Sequence, residues 1–233
     1  MKKKKLSLEQ KKLDADIWII ILVTLLFFLF YTVTGKQLMN FIMNKNISIL
    51  PRLLLNAGIQ FGVAGLGITI VCILRKERFT SFELIRKNIF KSIIWTIISF
   101  LTYICYIFMS GQFDGYRPFR ITITNEIIAN DPLFSILGMS VVVLVWGFFE
   151  GFNYVVICDK INKRYPTTSE WLDYGAIVCA IVCILFHPFS ISFLGIVEII
   201  TMFIAIYGML ITYKKTGNSW GAIFAFCFIW NAL

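Results

Sequence analysis

From Ile17 to Thr34 the chain reads IWIIILVTLLFFLFYTVT, a run of this length without one charged side chain. Such a run is long enough to cross about 30 Å of hydrocarbon as a helix. It recurs along the chain. Seven apolar segments fall at about 17–34, 53–74, 91–110, 133–158, 172–187, 190–213 and 219–233. The fifth and seventh are short, and the seventh stops at Leu233. A soluble domain carries about a quarter charged residues. Here 15% are charged and 58% hydrophobic, so the expected fold is an all-α, polytopic transmembrane helix bundle of about seven spans. No polar stretch is long enough to fold separately. The organisation expected is a basic N-terminus over 1–16 and one transmembrane domain over 17–233.

The net charge of +9 sits beside the apolar runs, which argues for topogenic charge rather than a nucleic-acid partner. The N-terminal lysines, the 75–91 loop, Lys160, Lys163 and Arg164, and Lys214 and Lys215 fall on one side if spans alternate. That places the N-terminus in the cytoplasm of a multi-pass protein of the cell membrane, with the lipid bilayer as its surroundings. The lysine-rich start resembles a signal peptide in charge. Its apolar run is too long for an h-region and no small-x-small site follows, so it reads as a retained first span. The loop 111–132 is the largest opposite the basic side. Within it Phe119–Thr124 alternates apolar and polar residues, as a short strand or lid would, although an ordinary solvated connection is the simpler reading.

The stretch GFFEGFNY, residues 147–154, sets a carboxylate inside an apolar run. Ionisable residues within membrane spans are costly and mark functional sites by default. The candidates are Glu150, His187 and Glu198, with Asn153 and Asn231 as neutral polar additions. Counted along their helices at 1.5 Å per residue, Glu150, His187, Glu198 and Asn231 reach about one depth. For Glu198, an ordinary interhelical hydrogen bond, or one with Thr201, is the simpler assignment. Gly147 with Gly151 and Gly58 with Gly62 form small-xxx-small pairs that let helices approach closely. Cys179, Cys183 and His187 share a face of the fifth span. The outer two are about 12 Å apart along the axis, so only Cys183 with His187 is placed to chelate a metal. Glu150 or Cys227 would have to complete that set. Cysteines packed as small apolar residues are the alternative.

An intramembrane glutamate, a histidine ending an apolar helix about forty residues later, and the closing stretch Thr216-Gly217-Asn218-Ser219-Trp220-Gly221-Ala222-Ile223 leading to Asn231 resemble one known family. It is the CAAX-protease and bacteriocin-processing (CPBP) family of intramembrane proteases, and the resemblance covers about residues 140–233. It implies an intramembrane endopeptidase, a hydrolase, acting on a membrane-associated hydrophobic or lipidated peptide. Glu150 would be the general base, His187 an assisting acid/base and Asn231 an oxyanion donor. The family has used or dispensed with a metal in different accounts, so no cofactor follows from the resemblance. Three positions depart from the pattern. Phe149 stands where the family's second glutamate belongs, Tyr154 or Val155 where its arginine does, and Cys227 where its last histidine does. A non-catalytic relative (a pseudoenzyme) that binds a hydrophobic peptide, a lipid or a membrane partner, as in immunity or export, is the alternative. A small transporter with a Glu–His proton relay ranks third, because no inverted repeat is visible.

Overall fold

The computed structural model describes residues 6–187 and 190–233. Among them the secondary structure is entirely helical. Eight helices follow one another: α1 Leu8–Met43, α2 Ile49–Arg75, α3 Ile89–Met109, α4 Thr124–Ile128, α5 Pro132–Arg164, α6 Tyr174–Phe186, α7 Phe193–Thr216 and α8 Trp220–Trp230. Five of them (α1, α2, α3, α5 and α7) are long and apolar enough to cross a membrane, and α6 and α8 are shorter apolar helices. The seven apolar runs of the sequence are therefore seven helices. Residues 119–123 form turns and irregular backbone leading into α4, and no strand is present among the described residues.

Helix α1 is longer than its apolar run on both sides. Ser7 starts it with a capping box, in which its hydroxyl accepts from the Gln10 N–H while the Gln10 side chain accepts from the Ser7 N–H. Asp131, Asp173 and Ser192 cap α5, α6 and α7 one-way, each side chain accepting from the backbone N–H three residues on. Gly217, in the left-handed region, ends α7 where a bulkier residue would be strained.

The basic ends of the helices meet at one face of the bundle. Buried Lys160 of α5 donates to Asp16 of α1 at 3.0 Å and to Glu77, just past α2, at 2.6 Å. Arg75 donates to Asp16 at 2.7 Å, and Arg164 pairs with Asp14. Asn218 donates to the carbonyls of Ile85 and Lys87, tying the α7–α8 turn to the loop before α3. Several charges that first read as topogenic therefore also bind helix ends together.

The core is built around α5, α6, α7 and α8. Val155, Cys158, Ala180, Ala205, Ile206, Met209 and Ala225 are wholly buried there. Gly151 explains how α8 comes so near. A Cβ at that position would meet the Ala222 carbonyl oxygen at 2.7 Å and the Ile223 Cα at 2.9 Å, both backbone. Gly147 faces Cys227, whose sulfur would lie 2.4 Å from an added Cβ. This pair is a close-packing seam as its spacing predicts. The other pair is not, because Gly58 has nothing within 4 Å, and Gly62 lies against the Phe27 ring.

Candidate functional site

Three helices lose regular α geometry around one point. Residues Gly62–Leu66 of α2, Val143–Phe149 of α5 and Phe226–Trp230 of α8 are π-helical. Such turns are rare and cluster at functional sites. Gln60 precedes the first, Glu150 follows the second, and Asn231 follows the third. The irregular turns thus flank three polar side chains from separate helices.

Two of those side chains meet, and Gln60 lines the same cavity. The Asn231 amide donates to Glu150 Oε2 at 3.3 Å and to the Trp146 carbonyl at 3.0 Å. It also lies 3.2 Å from the Phe226 carbonyl. The backbone around Asn231 is pinned from the loop before α4: the Arg120 N–H donates to the Asn231 carbonyl and the Arg117 N–H to that of Ala232. The segment 111–123 therefore closes one end of the site through backbone bonds.

His187 lies just past α6. Its Nδ1 is 2.8 Å from the Cys183 carbonyl. A carbonyl only accepts, so Nδ1 carries a proton and Nε2 is the nitrogen not held by that bond. The ring meets Trp230 edge-on, centroids 5.1 Å apart. Trp230 in turn stacks on Tyr103 of α3 at 5.0 Å.

Glu150, His187 and Asn231 line one cavity of about 1090 Å³. The two predicted titratable residues and the predicted amide are therefore brought to one chamber, and two of the three are hydrogen-bonded. Asn153 lines it one turn beyond Glu150. The far wall comes from parts of the chain to which no role was assigned from sequence: Thr24, Phe28 and Tyr31 of α1, Asn56 and Gln60 of α2, and Arg117 and Arg120 of the 111–123 segment. Asn56 and Gln60, one turn apart on α2 and polar inside an apolar run, carried the signal that would have revealed them.

Glu198 belongs elsewhere. It accepts from the Tyr106 hydroxyl at 3.2 Å, and Gln112 donates to that hydroxyl. The Thr201 hydroxyl donates to the Glu198 backbone carbonyl, not to its carboxylate. The expected interhelical hydrogen bond exists, with Tyr106 as its partner.

The departing positions have structural occupations. Phe149 meets Phe61 edge-on at 4.8 Å and joins a cluster with Phe79 and Phe148. Tyr154 stacks on Phe226 at 5.2 Å. Cys227 fills the notch over Gly147. As for metals, Cys183 Sγ lies 4.0 Å from His187 Nδ1, the nitrogen already committed to a carbonyl. No group of three His, Cys, Asp or Glu side chains converges among the described residues. These donors do not form a metal site.

A second polar assembly went unread in the sequence. Arg52 of α2 is buried, pairs with Glu126 of α4 and donates to the Ile42 carbonyl at 3.1 Å. Outside the spans, the hydrogen bond from Arg120 holds the Asp114 carboxyl below the usual range.

No family model, curated protein or solved structure matches this chain.

Proposed function

We propose that the chain is a divergent intramembrane endopeptidase, of the kind its likeness to the CAAX-protease and bacteriocin-processing family implies. The observation that carries the reading is the Asn231–Glu150 hydrogen bond at the floor of a polar chamber inside an apolar bundle. A carboxylate held there can take a proton from water. That water attacks the scissile carbonyl, a C–O bond forms, the C–N bond breaks, and the proton passes to the leaving amine. His187, whose Nδ1 is held by the Cys183 carbonyl, lines the same chamber and leaves Nε2 as its free ring nitrogen for an assisting role.

Asn231 takes a different role from the oxyanion donor that the resemblance implies. Its amide protons face Glu150 and two carbonyls, so it positions the base. The amides of Gln60 and Asn153, in the same chamber, are the groups available to a developing oxyanion. The substrate class is a hydrophobic or lipidated peptide held in the bilayer. The basic face is assigned to the cytoplasm of the cell membrane, because Lys- and Arg-rich loops stay inside.

Purified protein in lipid nanodiscs is to be incubated with a panel of membrane-anchored peptides. Wild type is expected to cleave at least one. Glu150→Gln should lower kcat by about 10²–10⁴-fold, as loss of a general base does. Absence of cleavage across the panel would sink the proposal. The alternative, a non-catalytic relative that binds such a peptide in the same chamber, draws on Phe149, whose place in an aromatic cluster leaves no second acid beside Glu150.

A further inference from the structure

A second cavity, about 600 Å³, lies nearer the basic face and is lined by α1, α5, α6 and Tyr165 just past α5. Its lining continues that of the polar chamber helix by helix. On α5 the stripe Tyr165, Ile161, Ile157, Tyr154 and Glu150 steps by three and four residues through both cavities. On α6 the stripe is Tyr174, Val178, Val182 and Phe186. On α1 it is Trp18, Ile21, Thr24 and Phe28. Residues so spaced share one helix face. The three stripes therefore border one seam, with α5 as its floor and α1 and α6 as its walls. Phe28 and Phe186 bridge the walls at the level of the chamber, centroids 4.4 Å apart. Toward the basic face Trp18, Ile21, Tyr174 and Val178 stay exposed, so the seam is open on its lipid side. From Tyr165 to Glu150 it runs about 22 Å along α5.

The seam grades in polarity. Trp18, Tyr165 and Tyr174 stand at one end, where amphipathic rings meet a membrane interface. Aliphatic side chains line the middle, and Glu150, Asn153 and Asn231 lie at the far end. We infer that the seam between α1 and α6 binds a single-chain amphiphile, with its hydrocarbon tail along Ile21, Ile157, Ile161, Val178 and Val182 and its polar group in the Glu150 chamber. One tail matches a seam one helix-face wide, in which Asp14 at the basic end is paired with Arg164 while Glu150 at the other end pairs with no cation among the described residues. A transmembrane peptide helix, about 10–12 Å across with its side chains, would have to part α1 from α6. The inference names the ligand class of the proposed catalytic chamber and rests on that reading for what happens to the polar group. Binding itself needs no hydrolysis.

The test uses the full chain in nanodiscs and a long-chain fatty acid with a diazirine on its tail. Crosslinked residues are mapped by peptide mass spectrometry. Adducts are expected on the seam residues, at least fivefold above those on Leu25 and Leu185. Val178→Trp and Val182→Trp, which fill the seam, should remove them, whereas Ile181→Trp and Leu185→Trp on the same helix should not. Thermal melts confirm that each variant is folded; if the seam variants unfold, competition by unlabelled fatty acid on wild type gives the same decision. Parallel arms with a diazirine lysophospholipid and a diazirine lipopeptide tell which polar group is preferred. Adducts spread evenly over lipid-facing residues, or seam adducts from a transmembrane photo-leucine peptide but from none of the single-chain probes, would overturn the inference. Seam binding retained in Glu150→Gln with no cleavage by wild type would overturn the peptidase proposal and leave the seam standing.

Discussion

At the scale of single residues, Gly151 sets how near the last helix can come to Glu150. A methyl group there meets backbone atoms of α8, which cannot move aside cheaply. Gly151→Ala is expected to cost about 1–3 kcal/mol, as overpacking does, and to weaken the Asn231–Glu150 contact. Gly35→Ala, with nothing within 4 Å, should instead stabilise by about 0.5–1 kcal/mol. Thermal denaturation of both variants checks the contrast, and equal melting shifts would refute it. Asp114 offers a pH handle outside the spans. Its folded-state carboxyl is held low by the Arg120 hydrogen bond, so the pair stabilises above the ordinary aspartate range. That contribution fades as pH falls through the usual value of about 3.9 toward the lowered one. Amide exchange over 111–123, corrected for its intrinsic pH dependence, should rise in that window in wild type and stay level in Arg120→Ala. Residue chemistry was only partly legible in the sequence. Glu150, His187 and Asn231 stood out because each is polar in an apolar run. Gln60 stood in such a run as well and Arg52 at the edge of one, but no local pattern announces a distant contact such as that of Arg52 with Glu126.

At the scale of elements, the apolar runs marked every long helix because burial in lipid demands unbroken apolar stretches. Their ends were less visible. Helix α1 extends back to Leu8 because a capping box and ion pairs, not apolar residues, carry its N-terminal turns. The ties between elements were also hidden. Lys160 looked like one charge of a topogenic loop, yet it is buried between Asp16 and Glu77 and joins α1, α2 and α5. Removing one partner of a buried pair costs up to about 3–5 kcal/mol, and less here because Arg75 still holds Asp16 and Glu77 is partly exposed. Lys160→Met is therefore expected to lower the denaturation midpoint, and Lys160→Met with Asp16→Asn to recover part of the loss. A double variant no better than the single one would show that Lys160 matters for packing alone.

At the scale of the whole molecule, the resemblance covered residues 140–233, whereas the chamber takes its other wall from α1, α2 and the 111–123 segment. More than half of the lining was therefore unreadable from the portion that resembled a known family. Clustering of the basic ends at one face predicts topology directly. A cysteine placed at Lys215 should be shielded from an external membrane-impermeant maleimide in intact cells, and one at Gln112 should react; the reverse pattern would invert the assigned orientation. The π turns of α2, α5 and α8 bear on how such a chain tolerates length change. Each such turn holds one residue more than a regular helix needs and absorbs it in a wider turn, so the halves of the helix keep their faces. Deleting one residue within 143–149 would let α5 wind regularly with its halves nearly in phase. Deleting one from the regular turns 133–142 would instead turn everything beyond by about 100° and swing Glu150 out of the chamber, while the hydropathy profile stayed almost unchanged. Loss of function by the second deletion and much less by the first, with membrane insertion intact in both, is the signature to expect.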